Sequence, residues 1–244
     1  MTEKSFTNSL ENADVADRVA AVEDRIERAC DRAGRRREEI TLIAVSKTVE
    51  AARVNAALRA GVRFLGENRV QELLQKKPQL DLGDAQMHLI GHLQTNKVKQ
   101  IVGQVSLIQS VDSLHLAQAI DRVSADRGLV TDILLEVNIG GEASKSGVSL
   151  DEIETLATSV AALPHVRIRG LMCVPPPSET SAEKRAYFSK MYKEFLDIKS
   201  KKLDNVNMSI LSMGMSSDFE EAILEGSTMV RVGTAIFGRR NYPV

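Results

Sequence analysis

Lys47 closes an apolar run, Leu42-Ile43-Ala44-Val45-Ser46, and a helical pattern starts directly behind it. A lysine at the carboxyl end of a buried strand can act as an amine nucleophile toward an aldehyde. It can equally lay its stem on apolar surface and extend its amine to water. Two later segments carry compatible chemistry. In Met213-Gly214-Met215-Ser216-Ser217-Asp218-Phe219-Glu220, Gly214 permits a tight turn. Ser217 and Glu220 have the S-x-x-E spacing of a capping box, which leaves Ser216 and its amide to face outward. In Val230-Arg231-Val232-Gly233-Thr234, a flexible backbone and a hydroxyl follow an arginine set between valines. Backbone N–H groups and hydroxyls at such turns suit a phosphate, although each loop alone also reads as a turn and a cap.

Arg231 alternates with Val230 and Val232, so in a closed sheet it faces the opposite way from them, toward the interior mouth. A guanidinium cannot shed its charge and must find an acceptor there, either a neighbouring carboxylate or a heteroaromatic ring nitrogen. An aldehyde-reactive lysine, a phosphate cradle and a ring-nitrogen donor together describe a site for pyridoxal 5′-phosphate, PLP, with Lys47 forming a Schiff base. The amine must be neutral when it attacks, so desolvation or nearby positive charge has to lower its pKa from about 10.4.

The elements that would position these residues follow from periodicity. Val15, Val19, Val22, Ile26 and Cys30 form one apolar helical stripe, which Gly34 and the Arg35-Arg36-Arg37 cluster end. This predicts a docking helix over 8–35 ahead of the main fold. Strands are expected at 42–46, 64–65 with its neighbours, 87–90, 107–110, 133–138, 168–173, 208–212 and 229–232. Helical segments alternate with them at 50–60, 68–75, 114–124, 150–161, 182–199 and 219–224. The pattern predicts an α/β fold, a single (β/α)8 TIM barrel over 41–244, with its active loops at the carboxyl ends of the strands. The rival is a doubly wound open sheet, but Lys47-Thr48-Val49-Glu50 stands where its glycine fingerprint would be. The Pro175-Pro176-Pro177 cluster reads as a stiff loop, because the alternation resumes beyond it.

Composition narrows the function classes. A net charge of −1 and 4% aromatic residues leave neither a basic field nor stacking platforms for nucleic acid. No apolar run has signal or membrane-span length, so a cytoplasmic protein is expected. Cys30 and Cys173 sit in apolar patterns and read as reduced core thiols. His88 and His92, four apart, would lie about 13 Å from each other on a strand, too far to share one metal ion.

The strings Ala44-Val45-Ser46-Lys47-Thr48, Gly66-Glu67-Asn68-Arg69-Val70-Gln71-Glu72, His88-Leu89-Ile90-Gly91-His92-Leu93-Gln94-Thr95-Asn96-Lys97, Ser212-Met213-Gly214-Met215-Ser216 and Val230-Arg231-Val232-Gly233-Thr234-Ala235-Ile236-Phe237-Gly238 resemble the PLP homeostasis protein family. The resemblance runs from the first helix to the carboxyl end. It implies a barrel of the alanine-racemase amino-terminal type that binds PLP without a demonstrated reaction. By the same resemblance Lys47 is the Schiff-base lysine, Asn68 contacts the ring, and Arg231 meets the pyridine nitrogen. Met215, Ser216, Gly233 and Thr234 cradle the phosphate, and Lys145, in a Ser-Lys-Ser-Gly string, is a secondary contact for PLP entering or leaving.

Arginine at the ring nitrogen damps the cofactor's electron sink, where many PLP enzymes place a carboxylate. A racemase would also need a second acid/base group. Tyr187 and Tyr192 lie in a lysine-rich helix and Tyr242 in the tail, so none is an obvious candidate, and no further domain is expected after Gly233. The expectation is therefore storage or delivery of PLP in intracellular homeostasis, with no catalytic residue, by a monomer whose partners are apo PLP-dependent enzymes. A PLP-dependent racemase or decarboxylase, and an aldolase using Lys47 without cofactor, are the alternatives.

Overall fold

Alternating apolar runs and amphipathic segments fold as the periodicity requires. The computed structural model describes residues 3–142 and 145–238, with side chains from residue 14 onward. A long helix, α1 (Glu3–Ala33), precedes eight strands: β1 (Thr41–Val45), β2 (Phe64–Glu67), β3 (Gln86–Leu89), β4 (Leu107–Val111), β5 (Thr131–Val137), β6 (Val166–Cys173), β7 (Val206–Met215) and β8 (Met229–Val232). Between and after them lie α2 (Ala51–Arg59), α3 (Val70–Lys76), α4 (Val98–Ile101), α5 (Leu114–Asp126), α6 (Ile153–Ala161), α7 (Ser181–Ser200), α8 (Phe219–Leu224) and α9 (Thr234–Phe237). The strands are all parallel and close in chain order, β8 pairing with β1, so the open sheet is excluded and the barrel stands.

Strand parity divides the core in two. Leu42 and Ala44, Ile133 and Leu135, and Leu171 and Cys173 face outward into the layer beneath the helices. Ile43, Leu107, Leu134, Met172 and Met229 face inward and fill the barrel with Phe64 and Ile210. The helix α1 buries Val15, Val19, Val22, Ile26 and Cys30 and packs on α2, α8 and α9. Arg25 stacks on the Phe219 ring at 4.5 Å. The expected helical stripe is thus the docking face.

Local differences separate structure from expectation. β7 runs to Met215, so Met215 ends a strand where a loop was expected. The capping box of Ser217 and Glu220 does not form: Asp218 is the residue before α8, and its carboxylate instead accepts the Met215 N–H at 2.6 Å. Strand register also shifts around Gly170, where φ is 151° and an added Cβ would sit 1.7 Å from the Ile210 carbonyl oxygen. Glycine lets β6 and β7 approach at that bulge.

Candidate functional site

Parity carries the chemistry upward from the apolar plug. Gln109 has the inward parity of Leu107, Glu136 that of Leu134, Ser212 that of Ile210, and Arg231 that of Met229. A polar layer therefore lies above the apolar one, toward the carboxyl ends of the strands. Lys47 follows β1, Asn68 follows β2, Ser216 follows β7 and Gly233 follows β8. In a closed parallel barrel these positions share one end. The Ser46 N–H donates to the Gly66 carbonyl at 3.0 Å, extending the β1–β2 ladder one residue and putting Lys47 on the inward parity.

Arg231 is 4% exposed, and its guanidinium donates to Ser212 Oγ at 2.6 Å and to the Cys173 carbonyl at 2.8 Å. Both acceptors are neutral, and no ion pair of Arg231 occurs among the described residues. The carboxylate partner weighed from sequence is absent there. From Arg231 the hydrogen bonds run one way. Ser212 accepts from arginine, so its hydroxyl donates to Gln109 Oε1 at 2.7 Å, and the Gln109 amide donates to His88 Nδ1 at 2.9 Å. His88 then carries its proton on Nε2. Burial pushes the His88 pKa down to about 4, in keeping with a neutral ring. His88 thus belongs to β3 and to this chain of hydrogen bonds, whereas His92 lies beyond the strand, 3.6 Å from Asp112.

The loops after β7 and β8 meet through Ser216. Its Oγ accepts the Gly233 N–H at 3.1 Å and the Ala235 N–H at 3.3 Å. Ser216 is thus engaged within the fold, unlike the outward-free hydroxyl expected. With both acceptor positions filled, its own hydrogen is left to donate. Thr234 opens α9 and is exposed. Two strands round from β8, after β2, Asn68 Oδ1 is buried without a hydrogen-bond partner among the described residues. Gly91 lets this backbone approach: an added Cβ would stand 2.4 Å from the Asn68 carbonyl oxygen. Lys145 pairs with Glu142 at 2.8 Å and reaches the Pro175 carbonyl at 3.4 Å, so it is tied to its own loop layer.

Glu136 was not singled out from sequence. Burial pushes its pKa up to about 7; the charge of Asp112 adds to the shift and that of Arg231 opposes it. Its Oε2 is buried without a partner among the described residues. A carboxyl whose folded pKa lies above its unfolded value binds its proton more tightly in the folded chain. Folding stability therefore falls as pH rises from about 4.5 through about 7. Across that window Glu136→Gln is expected to remove a loss on the order of 2 kcal/mol. Urea denaturation of both chains at pH 5 and pH 8 checks this; an equal pH dependence would refute it.

Tyr187 and Tyr192 sit on α7, where Tyr192 is partly exposed. Tyr242 and the Arg239-Arg240-Asn241 segment lie outside the described residues. Both cysteines are free and buried, and burial pushes the Cys173 thiol up to about 12. Among the described residues, no helix is long and apolar enough to cross a membrane.

A closed parallel barrel with a lysine after its first strand, an interior arginine on its last and amide-rich loops after the last two defines the alanine-racemase amino-terminal class. The family model described as alanine racemase, N-terminal domain, matches residues 18–241. Within that class the chain belongs to the pyridoxal phosphate homeostasis protein family. It is 43% identical over 226 residues to the pyridoxal phosphate homeostasis protein of Aquifex aeolicus, covering 93% of this chain and 98% of that one. It is 40% identical to the protein of the same name from Escherichia coli, covering 94% and 98%. PipY of Synechococcus elongatus, solved with PLP bound, superposes with a TM-score of 0.80 at 34% identity, covering 92% of this chain and all of the other.

Proposed function

We propose that this chain binds pyridoxal 5′-phosphate through Lys47 and acts in intracellular PLP homeostasis, storing the cofactor or handing it over without turning over an amino acid. The observation that carries this reading is Arg231, a buried guanidinium whose hydrogen bonds go only to neutral groups among the described residues. When bound, the cofactor supplies an aldehyde for a lysine and a ring that withdraws electrons best when its nitrogen is protonated. Arg231 can donate to that nitrogen but delivers no proton to it, since guanidinium stays charged. Ser212 and the Cys173 carbonyl hold the guanidinium in place.

Asn68 suits the ring, because its buried Oδ1 lacks a partner among the described residues. Met215, Ser216, Gly233 and Thr234 suit the phosphate: the Gly233 and Ala235 amides converge on Ser216, whose hydroxyl hydrogen remains to donate. Lys145 is a secondary contact for cofactor in passage. The chain works as one cofactor-binding barrel with its docking helix, as a cytoplasmic monomer, and its recipients are apo forms of PLP-dependent enzymes.

Incubating cofactor-loaded protein with an apo PLP enzyme and a scavenger of free PLP tests the reading. Activation despite the scavenger is expected for delivery, and its absence reduces the role to storage. Solvent deuterium appearing at the α-carbon of any amino acid would overturn the non-catalytic assignment.

A further inference from the structure

The loop bearing Lys47 is held by a buried ion cluster on the outer side of the barrel wall. Ser46 and Glu67 are fully buried and Lys76 is 7% exposed. The Lys76 ammonium has three N–H donors and three acceptors: the Ser46 carbonyl at 2.7 Å, Glu67 Oε1 at 2.7 Å and Glu72 Oε1 at 2.9 Å. Ser46 also donates its hydroxyl to Glu67 Oε1 at 2.7 Å. On the far side of Lys47, the Thr48 N–H donates to the same Glu72 oxygen that Lys76 holds. Thr48 has φ of 61°, a left-handed conformation unfavourable for a β-branched residue and one that persists only where its surroundings enforce it. The carbonyl before Lys47 and the amide after it are thus anchored to one ion cluster, which links β2 to α3.

We propose that Lys76, with Glu67 and Glu72, is a positioning device for Lys47, clamping the backbone on both sides of it so that its amine is presented at the barrel mouth. This rests on the reading of Lys47 as the covalent attachment point for PLP. Lys76 is not a second nucleophile: every N–H is donated within the cluster, two of them to Glu67 and Glu72, so its amine is engaged there. The clamp works through the backbone, and touches neither cofactor nor substrate. Holding a reactive group within a fraction of an ångström governs its rate of attack, and a displacement of about 1 Å can slow reaction about a hundred-fold.

The test has two readouts. One is the rate at which borohydride-trapped PLP accumulates on Lys47, followed by peptide mass spectrometry. The other is amide hydrogen exchange across residues 46–49 in cofactor-free protein, which depends on the clamp alone. Glu72→Ala, at a side chain 23% exposed, removes the Thr48 anchor. The double variant Lys76→Met/Glu67→Gln removes the buried charges together while leaving an acceptor for Ser46. Both are expected to label Lys47 about ten- to a hundred-fold more slowly and to exchange the Thr48 amide faster. Glu72→Gln, which keeps an acceptor for that amide, should recover most of the rate. Unchanged labelling and exchange in a folded Glu72→Ala protein would overturn the clamp while leaving Lys47 in place, and this variant decides alone if the double variant does not fold. Label on another lysine of the unaltered chain would overturn the Lys47 reading and the clamp with it.

Discussion

Lys47→Ala is expected to abolish covalent PLP binding. The purified wild-type protein should carry the absorption band of a lysine-bound cofactor, bleached by borohydride, and the variant should carry none. Among the amines whose positions the structure describes, Lys47 is distinguished by its setting. It follows β1 on the inward parity, at the end of the barrel where the loops after β7 and β8 bring the Gly233 and Ala235 amides together on Ser216. Lys76, the nearby lysine on α3, is held by Glu67 and Glu72 and cannot substitute. The remaining affinity in the variant should be that of the phosphate and ring contacts, roughly a hundred-fold weaker or more once the covalent bond is gone. Folding should be little altered, because Lys47 is only partly buried. Retention of a borohydride-sensitive band would remove Lys47 from the account.

Arg231→Met should have the second large effect, on both stability and cofactor. The Cys173 carbonyl would lose a charged donor inside the barrel, and the cavity left by the guanidinium would be filled incompletely. Together these predict destabilisation of about 2–4 kcal/mol, measurable by urea denaturation. Loss of the ring-nitrogen donor should weaken PLP binding at least about ten-fold, the scale of a lost charge-assisted hydrogen bond. The Glu136 carboxyl supplies an internal control. Arg231 opposes the rise in its pKa, so removing the arginine should push that pKa higher still and extend the pH-dependent loss of stability to more alkaline pH. A variant with wild-type stability, PLP affinity and pH profile would show that the guanidinium is dispensable and would sink the assignment.

These two residues also mark how far the sequence could be read. Lys47 and Arg231 were legible because local patterns identify them: an apolar run broken by a lysine, and a cation alternating with valines. The same holds for the barrel, whose strand-and-helix alternation needs only neighbouring residues to be recognised. Gln109 and Ser212 were visible in principle, as polar residues at inward-parity positions of β4 and β7, but parity alone does not say what they meet. The capping box misled because spacing is necessary for it and not sufficient: Asp218 turned its carboxylate to the Met215 amide instead.

What the amino-acid order determined by itself is the eight strands, the helices recognised between them, and the residue types that follow the strands. Tertiary structure decided the pairings. The run from Arg231 through Ser212 and Gln109 to His88 joins β8, β7, β4 and β3, and the cluster around Lys47 joins β1, β2 and α3. Those contacts depend on barrel closure and on register shifts between β4 and β5 and between β7 and β8. A one-residue slip would turn each side chain to the other face, and no local periodicity records the register at which two distant strands come to rest.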